Sequence, residues 1–114
     1  MVAAANPLAA EAGLSILRAG GSAVDAAIAT QLALNVVEPQ SSGIGGGAFL
    51  MHYHSRSRKI EAYDGRETAP AAATPDMFLT AEGSRAKFHD VVPGGLSVGI
   101  PGVLRMLELA HKAH

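Results

Sequence analysis

Residues 40–64 read QSSGIGGGAFLMHYHSRSRKIEAYD, and the fold class turns on how this stretch is parsed. Gln40–Gly47 is a glycine-rich loop. AFLMHYH, rich in bulky and aromatic residues, is followed by the polar SRSRK and then by IEAYD. Two apolar runs around a short polar turn predict a β-hairpin, with Leu50, His52 and His54 on one face and Phe49, Met51 and Tyr53 on the other. Both faces carry bulk, so the hairpin is expected to be covered on at least one side by the two helices that precede it. Gly43-Ile44-Gly45-Gly46-Gly47-Ala48 matches the letters of the dinucleotide fingerprint G-x-G-x-x-G/A. That motif needs a strand before the loop and a helix after it. Here a helix precedes and a strand follows, so nucleotide binding is disfavoured. The glycines instead predict a backbone running close to another strand or to a ligand, where side chains would obstruct it.

Upstream, Ser22-Ala23-Val24-Asp25 resembles a capping box with Asp in place of the usual Glu. The helix it opens runs to about Val37, is small and apolar on nearly every face, and closes at Glu38-Pro39. Such a helix is expected in the middle of a layered core, packed on both sides. Before it, Asn6-Pro7 is a favoured helix start. Glu11, Ser15 and Arg18 form one narrow polar stripe, so this first helix is expected to be mostly buried, ending at Gly20-Gly21.

Downstream, GRETAP and the Ala/Pro run AAATP make an extended connector. Asp76 can cap a short turn, and residues 80–93 are polar and irregular. Pro101 is expected to open a last helix with Arg105, Glu108 and Lys112 on the wet stripe and Val103, Leu107 and Ala110 on the buried one.

A chain of 114 residues with net charge −1 suits one small globular unit and offers nucleic acid no basic footprint. Without cysteine, thiol catalysis, disulfides and cysteine-ligated zinc are excluded. The longest apolar stretch is interrupted by Asp25, Thr30, Gln31 and Asn35, which argues for a buried helix and against a membrane span. The opening MVAAANPLAAEAG lacks a charged start followed by an apolar core, so no signal peptide is expected in it. Aromatic residues make up only 4% of the chain, and much of the apolar count is alanine, which buries little area. The chain is therefore expected to be a segment of a larger domain, with exposed apolar surface prone to self-association.

Three side-chain groupings could carry chemistry. His52 and His54, two apart on one strand face, could share a metal, but no other His or carboxylate is visibly paired with them and a site needs three or four ligands. They read as face residues, and no metal or cofactor is expected. Ser41-Ser42 and His89-Asp90 lack a serine elbow, so a hydrolase triad is unsupported and the serines read as turn chemistry. Arg66 is the residue to single out. It follows a strand and Gly65, where a fixed backbone would suit a bidentate grip on a carboxylate. The competing reading is a surface Arg paired with Glu67 or Asp64.

Taken in order, NPLAAEAGLSILRAGGSAVDAAIATQLALNVVEPQSSGIGGGAFLMHY, DGRETAP and PGGLSVGIPGVLRMLELAHK resemble the opening of the γ-glutamyltransferase (γ-glutamyltranspeptidase) large subunit, over nearly the whole chain. The resemblance implies an α+β arrangement that is part of an Ntn-hydrolase fold, with two sheets between helical layers. It implies an enzyme that cuts itself into two subunits. The new N-terminal threonine of the small subunit attacks the γ-glutamyl carbonyl of glutathione or a related donor, its own amine serving as base. Water or an acceptor amino acid or peptide then takes the glutamyl group. The family's carboxylate-binding arginine lines up with Arg66, which on this basis is the substrate-binding residue. Thr30, Thr68, Thr74 and Thr80 are internal and match no processing site, so no catalytic residue is expected in this chain. Its implied partners are the rest of the large subunit and the small subunit, in a periplasmic or extracellular setting. Cephalosporin or glutaryl acylases and a capsule poly-γ-glutamate transpeptidase, on the same scaffold, are the alternative enzymes. A free-standing, non-catalytic module is the alternative of a different class.

Overall fold

A computed structural model describes residues 1–114, and two compact units are present: residues 1–67 with 101–114, and residues 68–100. The larger unit holds helices α1 (Pro7–Arg18), α2 (Ala23–Val37) and α4 (Val103–Ala113), and strands β1 (Phe49–His54) and β2 (Lys59–Asp64). The smaller holds the four-residue helix α3 (Phe88–Val91) and a 3-10 turn at Gly95–Ser97. The chain is thus α+β, as the alternation in residues 40–64 requires. None of its helices is long and apolar enough to cross a membrane.

The helix ends follow local chemistry. The Asn6 side chain accepts from Leu8 N at 3.0 Å with Pro7 just inside the helix, and Gly20, at φ +90°, takes the left-handed turn that closes α1. The Ser22–Asp25 capping box is complete: Asp25 N donates to Ser22 Oγ at 3.1 Å and Ser22 N donates to Asp25 Oδ2 at 2.9 Å. The backbone N–H of Ser22, together with its hydroxyl, holds the Asp25 carboxyl below the usual carboxylate range, and His111 adds to the effect.

β1 and β2 pair antiparallel from Phe49↔Asp64 to His54↔Lys59, joined through Ser55–Arg58. Leu50 and His52 are half-buried while Phe49, Met51 and Tyr53 are exposed, which is the predicted division of faces; His54, near the turn, is exposed as well. The main covering element is α4, which follows the hairpin; of the two preceding helices expected there, α2 adds Ile28. The buried Val103, Met106 and Leu107 of α4 form the core, against which Leu50, Tyr63, Ala48 and Ile28 pack.

Two burial expectations give way. In α1 only Ala9 and Gly13 are buried, and Leu8 is exposed, because α2 is the one helix laid along it. Helix α2 is not sealed on both sides either. Val24 and Ala26 are buried, whereas Leu32 and Val36 face out. The last helix also starts later than Pro101, at Val103. The N–H groups of Gly102 and Val103 are both drawn to Gly46 O, at 3.2 and 3.3 Å. The wet stripe is as expected: Glu108 pairs with Arg105 and with Lys112.

In the smaller unit, Thr68 and Ile100 form an isolated antiparallel bridge, Leu79 and Arg85 another, and Leu79 N donates to Asp76 O at 2.8 Å in the expected short turn.

Candidate active-site segment

Three backbone segments cross where the sequence placed its glycines. Ala48 and Gly65 exchange hydrogen bonds, with Gly65 N to Ala48 O at 2.9 Å and Ala48 N to Gly65 O at 3.3 Å. A Cβ on Gly47 would stand 2.7 Å from Gly65 O and 2.9 Å from Arg66 Cα, and one on Gly102 would stand 2.4 Å from Gly65 O. No side chain fits at either position. The glycine-rich loop therefore exists to let the 46–47, 65–66 and 102 backbones touch, which is the close approach its composition predicted.

The crossing fixes Arg66. Its N–H donates to Asp64 Oδ1 at 2.8 Å, and its peptide is pinned between Gly47 and Gly102. The guanidinium itself is 72% exposed, and its Nε lies 3.5 Å from Glu67 Oε2. A pair that open to water is weak and leaves most of the guanidinium donors free. The Glu67 carboxylate also reaches toward Gly46 and Gly47. It lines an open cleft of about 600 Å³ with Gln31, Ser42, Gly43 and Gly45–Gly47. Arg66 does not itself line that cleft. The arrangement is a rigidly seated backbone presenting an exposed, loosely paired cation, which suits a carboxylate ligand.

The far side of the cleft is built from α2. Gln31 Nε2 donates to Ser42 Oγ at 2.9 Å and to Asn35 Oδ1 at 3.2 Å, and Ser42 Oγ donates to Asn35 Oδ1 at 2.6 Å. Ser41 N and Ser42 N both donate to Glu38 O at 3.0 Å. The two serines thus tie the loop to the helix, in line with their reading as turn residues. His89 and Asp90 lie on α3, not in a loop.

The structure adds partners to His52 that sequence spacing did not reveal. Glu61 stands directly opposite it across the hairpin, with Oε2 3.8 Å from His52 Nδ1. His114 packs its ring on that of His52, centroids 3.9 Å apart, and puts Nε2 3.0 Å from Glu61 Oε2 and 2.9 Å from the Tyr63 hydroxyl. The cross-strand pairing of Glu61 was within reach of a hairpin register count; the approach of His114 was not.

Comparisons with known proteins identify the family. Residues 9–114 match the family described as gamma-glutamyltranspeptidase. The glutathione hydrolase proenzyme of Bacillus subtilis (strain 168) is 53% identical over 110 residues, which are 96% of this chain and 19% of that protein. The crystal structure of Helicobacter pylori gamma-glutamyltranspeptidase superposes with a TM-score of 0.92 at 36% identity, covering 100% of this chain and 32% of that one. The transpeptidase CapD of Bacillus anthracis gives 0.73 at 35% identity, covering 99% of this chain and 32% of that one. The chain therefore spans about a fifth of its curated relative and a third of the solved chains, and over that span it has the local architecture of an Ntn hydrolase. On sequence and on fold, this chain belongs to the gamma-glutamyltranspeptidase family.

Proposed function

We propose that this chain is a segment of an enzyme that transfers or hydrolyses the γ-glutamyl group of glutathione and related compounds, and that Arg66 holds the donor's α-carboxylate. The carrying observation is the seating of Arg66: a backbone pinned by Gly47 and Gly102 bears a guanidinium that is 72% exposed and only loosely paired. A planar fork in that position can accept a carboxylate through two parallel N–H···O bonds without displacing a strong internal partner. Its task is orientation. Gripping the α-carboxylate fixes the donor so that its γ-carbonyl meets a nucleophile supplied from outside these residues.

The remainder of the large subunit and the small subunit are the partners this reading requires, with self-cleavage of a proenzyme generating the nucleophile. The 114 residues alone then turn over no γ-glutamyl-p-nitroanilide. The name of the B. subtilis relative, a glutathione hydrolase proenzyme, supports a glutathione-type donor.

The test compares an active enzyme containing this segment with its Arg66→Ala and Arg66→Lys variants, each on a donor with a free α-carboxylate and on its neutral α-amide. Loss of one partner of a charged, hydrogen-bonded pair costs about 2–5 kcal/mol, and at roughly 1.4 kcal/mol per tenfold the lower end is about 30-fold in kcat/KM. The lower end is expected, since Arg66 sits in an open setting. Lysine keeps the charge but not the fork, so Arg66→Lys should recover little. On the amide donor the variants and the wild type should converge. Equal impairment on both donors would make Arg66 a structural residue and end the assignment.

A further inference from the structure

The hairpin face opposite Phe49, Met51 and Tyr53 carries a second constellation, remote in chemistry from Arg66. We infer that His52, Glu61 and His114 form a binding site for a late first-row divalent cation of the Zn2+ type. Three different elements deliver the three side chains: His52 from β1, Glu61 from β2 and His114 from the end of α4. One ligand atom from each lies within 4.8 Å of the other two.

Three observations point to a cation in preference to a simple ion pair. His52 Nδ1 is buried and has no hydrogen-bond partner. A buried polar atom left unpaired is unfavourable, and Glu61 Oε2, 3.8 Å away, is too far to pair with it directly. Second, the two imidazoles are pressed together at 3.9 Å with side chains only 18% and 12% exposed. Two imidazoles held this close can ligate one metal. Third, the spacing fits. Zn–N and Zn–O bonds of about 2.0–2.2 Å set a tetrahedral ligand–ligand edge of roughly 3.4 Å. The edges from Glu61 Oε2 to His114 Nε2 and to His52 Nδ1, at 3.0 and 3.8 Å, lie on either side of that value.

Side-chain rotation of Glu61, which is half-exposed, and a small movement of His114 would complete the geometry. The Tyr63 hydroxyl, now on His114 Nε2, would be displaced from it when the metal enters. Two nitrogens and one carboxylate oxygen suit Zn2+, Cu2+ or Ni2+ better than Mg2+ or Ca2+, whose preferred shells are all oxygen. A fourth position stays open to water. Bound there, the ion would clamp the end of α4 onto the hairpin.

The test is calorimetric titration of the untagged chain with Zn2+, with Co2+ absorption in the visible as a readout of coordination geometry. Saturable one-to-one binding at micromolar Zn2+ is expected, with affinity at least about tenfold weaker in His52→Ala and in Glu61→Gln. His111→Ala, one helical turn before His114, should bind as the wild type does, because a site made from the two helix histidines alone is the competing arrangement. Glu61→Gln is nearly isosteric and half-exposed, so it decides the matter if His52→Ala does not fold; circular dichroism of each variant establishes which do. No saturable binding, or undiminished binding by any folded variant among these two, would overturn the site and leave an ordinary His114–Glu61 ion pair.

Discussion

Gly102→Ala is the most economical probe of the backbone crossing. At φ −115° an alanine meets no dihedral penalty there, so its effect is purely steric. Its Cβ would lie 2.4 Å from Gly65 O, 2.8 Å from Gly65 C and 3.0 Å from Arg66 O, all backbone atoms. Real Cβ contacts begin at 3.0 Å and are ordinary from 3.4 Å, so the segments must part by about 0.6–1.0 Å. Neither can swing away as a side chain would, since Gly65 is hydrogen-bonded to Ala48 and Gly102 N donates to Gly46 O. Overpacking of this kind costs about 1–3 kcal/mol, against which the stiffer unfolded chain returns about 0.4–1 kcal/mol. A net loss of roughly 1–2 kcal/mol, or about 4–8 °C in Tm for a chain this size, is expected. Gly43→Ala is the control: nothing lies within 4 Å of its Cβ, and its effect should stay within about 0.5 kcal/mol. Urea unfolding of the three proteins, followed by far-UV circular dichroism, gives the comparison. If Gly102→Ala unfolds at the same urea concentration as Gly43→Ala, the crossing is not tight and Arg66 is not seated by it.

Two further outcomes follow from α1 and α2. Gly13→Ala should lower stability by about 1–3 kcal/mol despite alanine's better helix propensity, because the new Cβ stands 2.1 Å from Thr30 Oγ1 and 2.9 Å from Ala26 O; adding Thr30→Ala should relieve only part of the loss in the same urea series. Asp25→Asn should lose the charged half of the capping box and its contact with His111. The folded-state pKa of Asp25 is depressed by the Ser22 backbone N–H and hydroxyl, so its contribution is present above the unfolded carboxylate value and disappears as pH falls through the folded one. The stability gap between wild type and Asp25→Asn should therefore close below about pH 4; a gap unchanged from neutral to acid would contradict it.

How far the sequence alone reached depended on the range of the interactions involved. Both N-caps, the hairpin and its faces, and the stripes of α4 were legible because each rests on residues a few positions apart: Ser22 with Asp25, Leu50 with His52, Val103 with Leu107 and Ala110. Burial was not, since it depends on which elements come to lie on which. The small, apolar α2 has the composition of an interior helix, yet Leu32 and Val36 remain exposed within these residues. Met106 was missed as a core residue for the same reason: it is buried where α4 passes over Gly65, a contact with no local signature. The glycines lie between these cases. Gly45–Gly47 announced that some backbone must come close, but only the fold identified it as Gly65 and Gly102, the residues flanking Arg66 and α4. A glycine run therefore told that a contact exists and not with whom. For the role proposed for Arg66 the answer matters: a guanidinium on a mobile loop would spend binding energy on ordering itself, whereas one on a peptide wedged between two glycine contacts has that ordering done during folding.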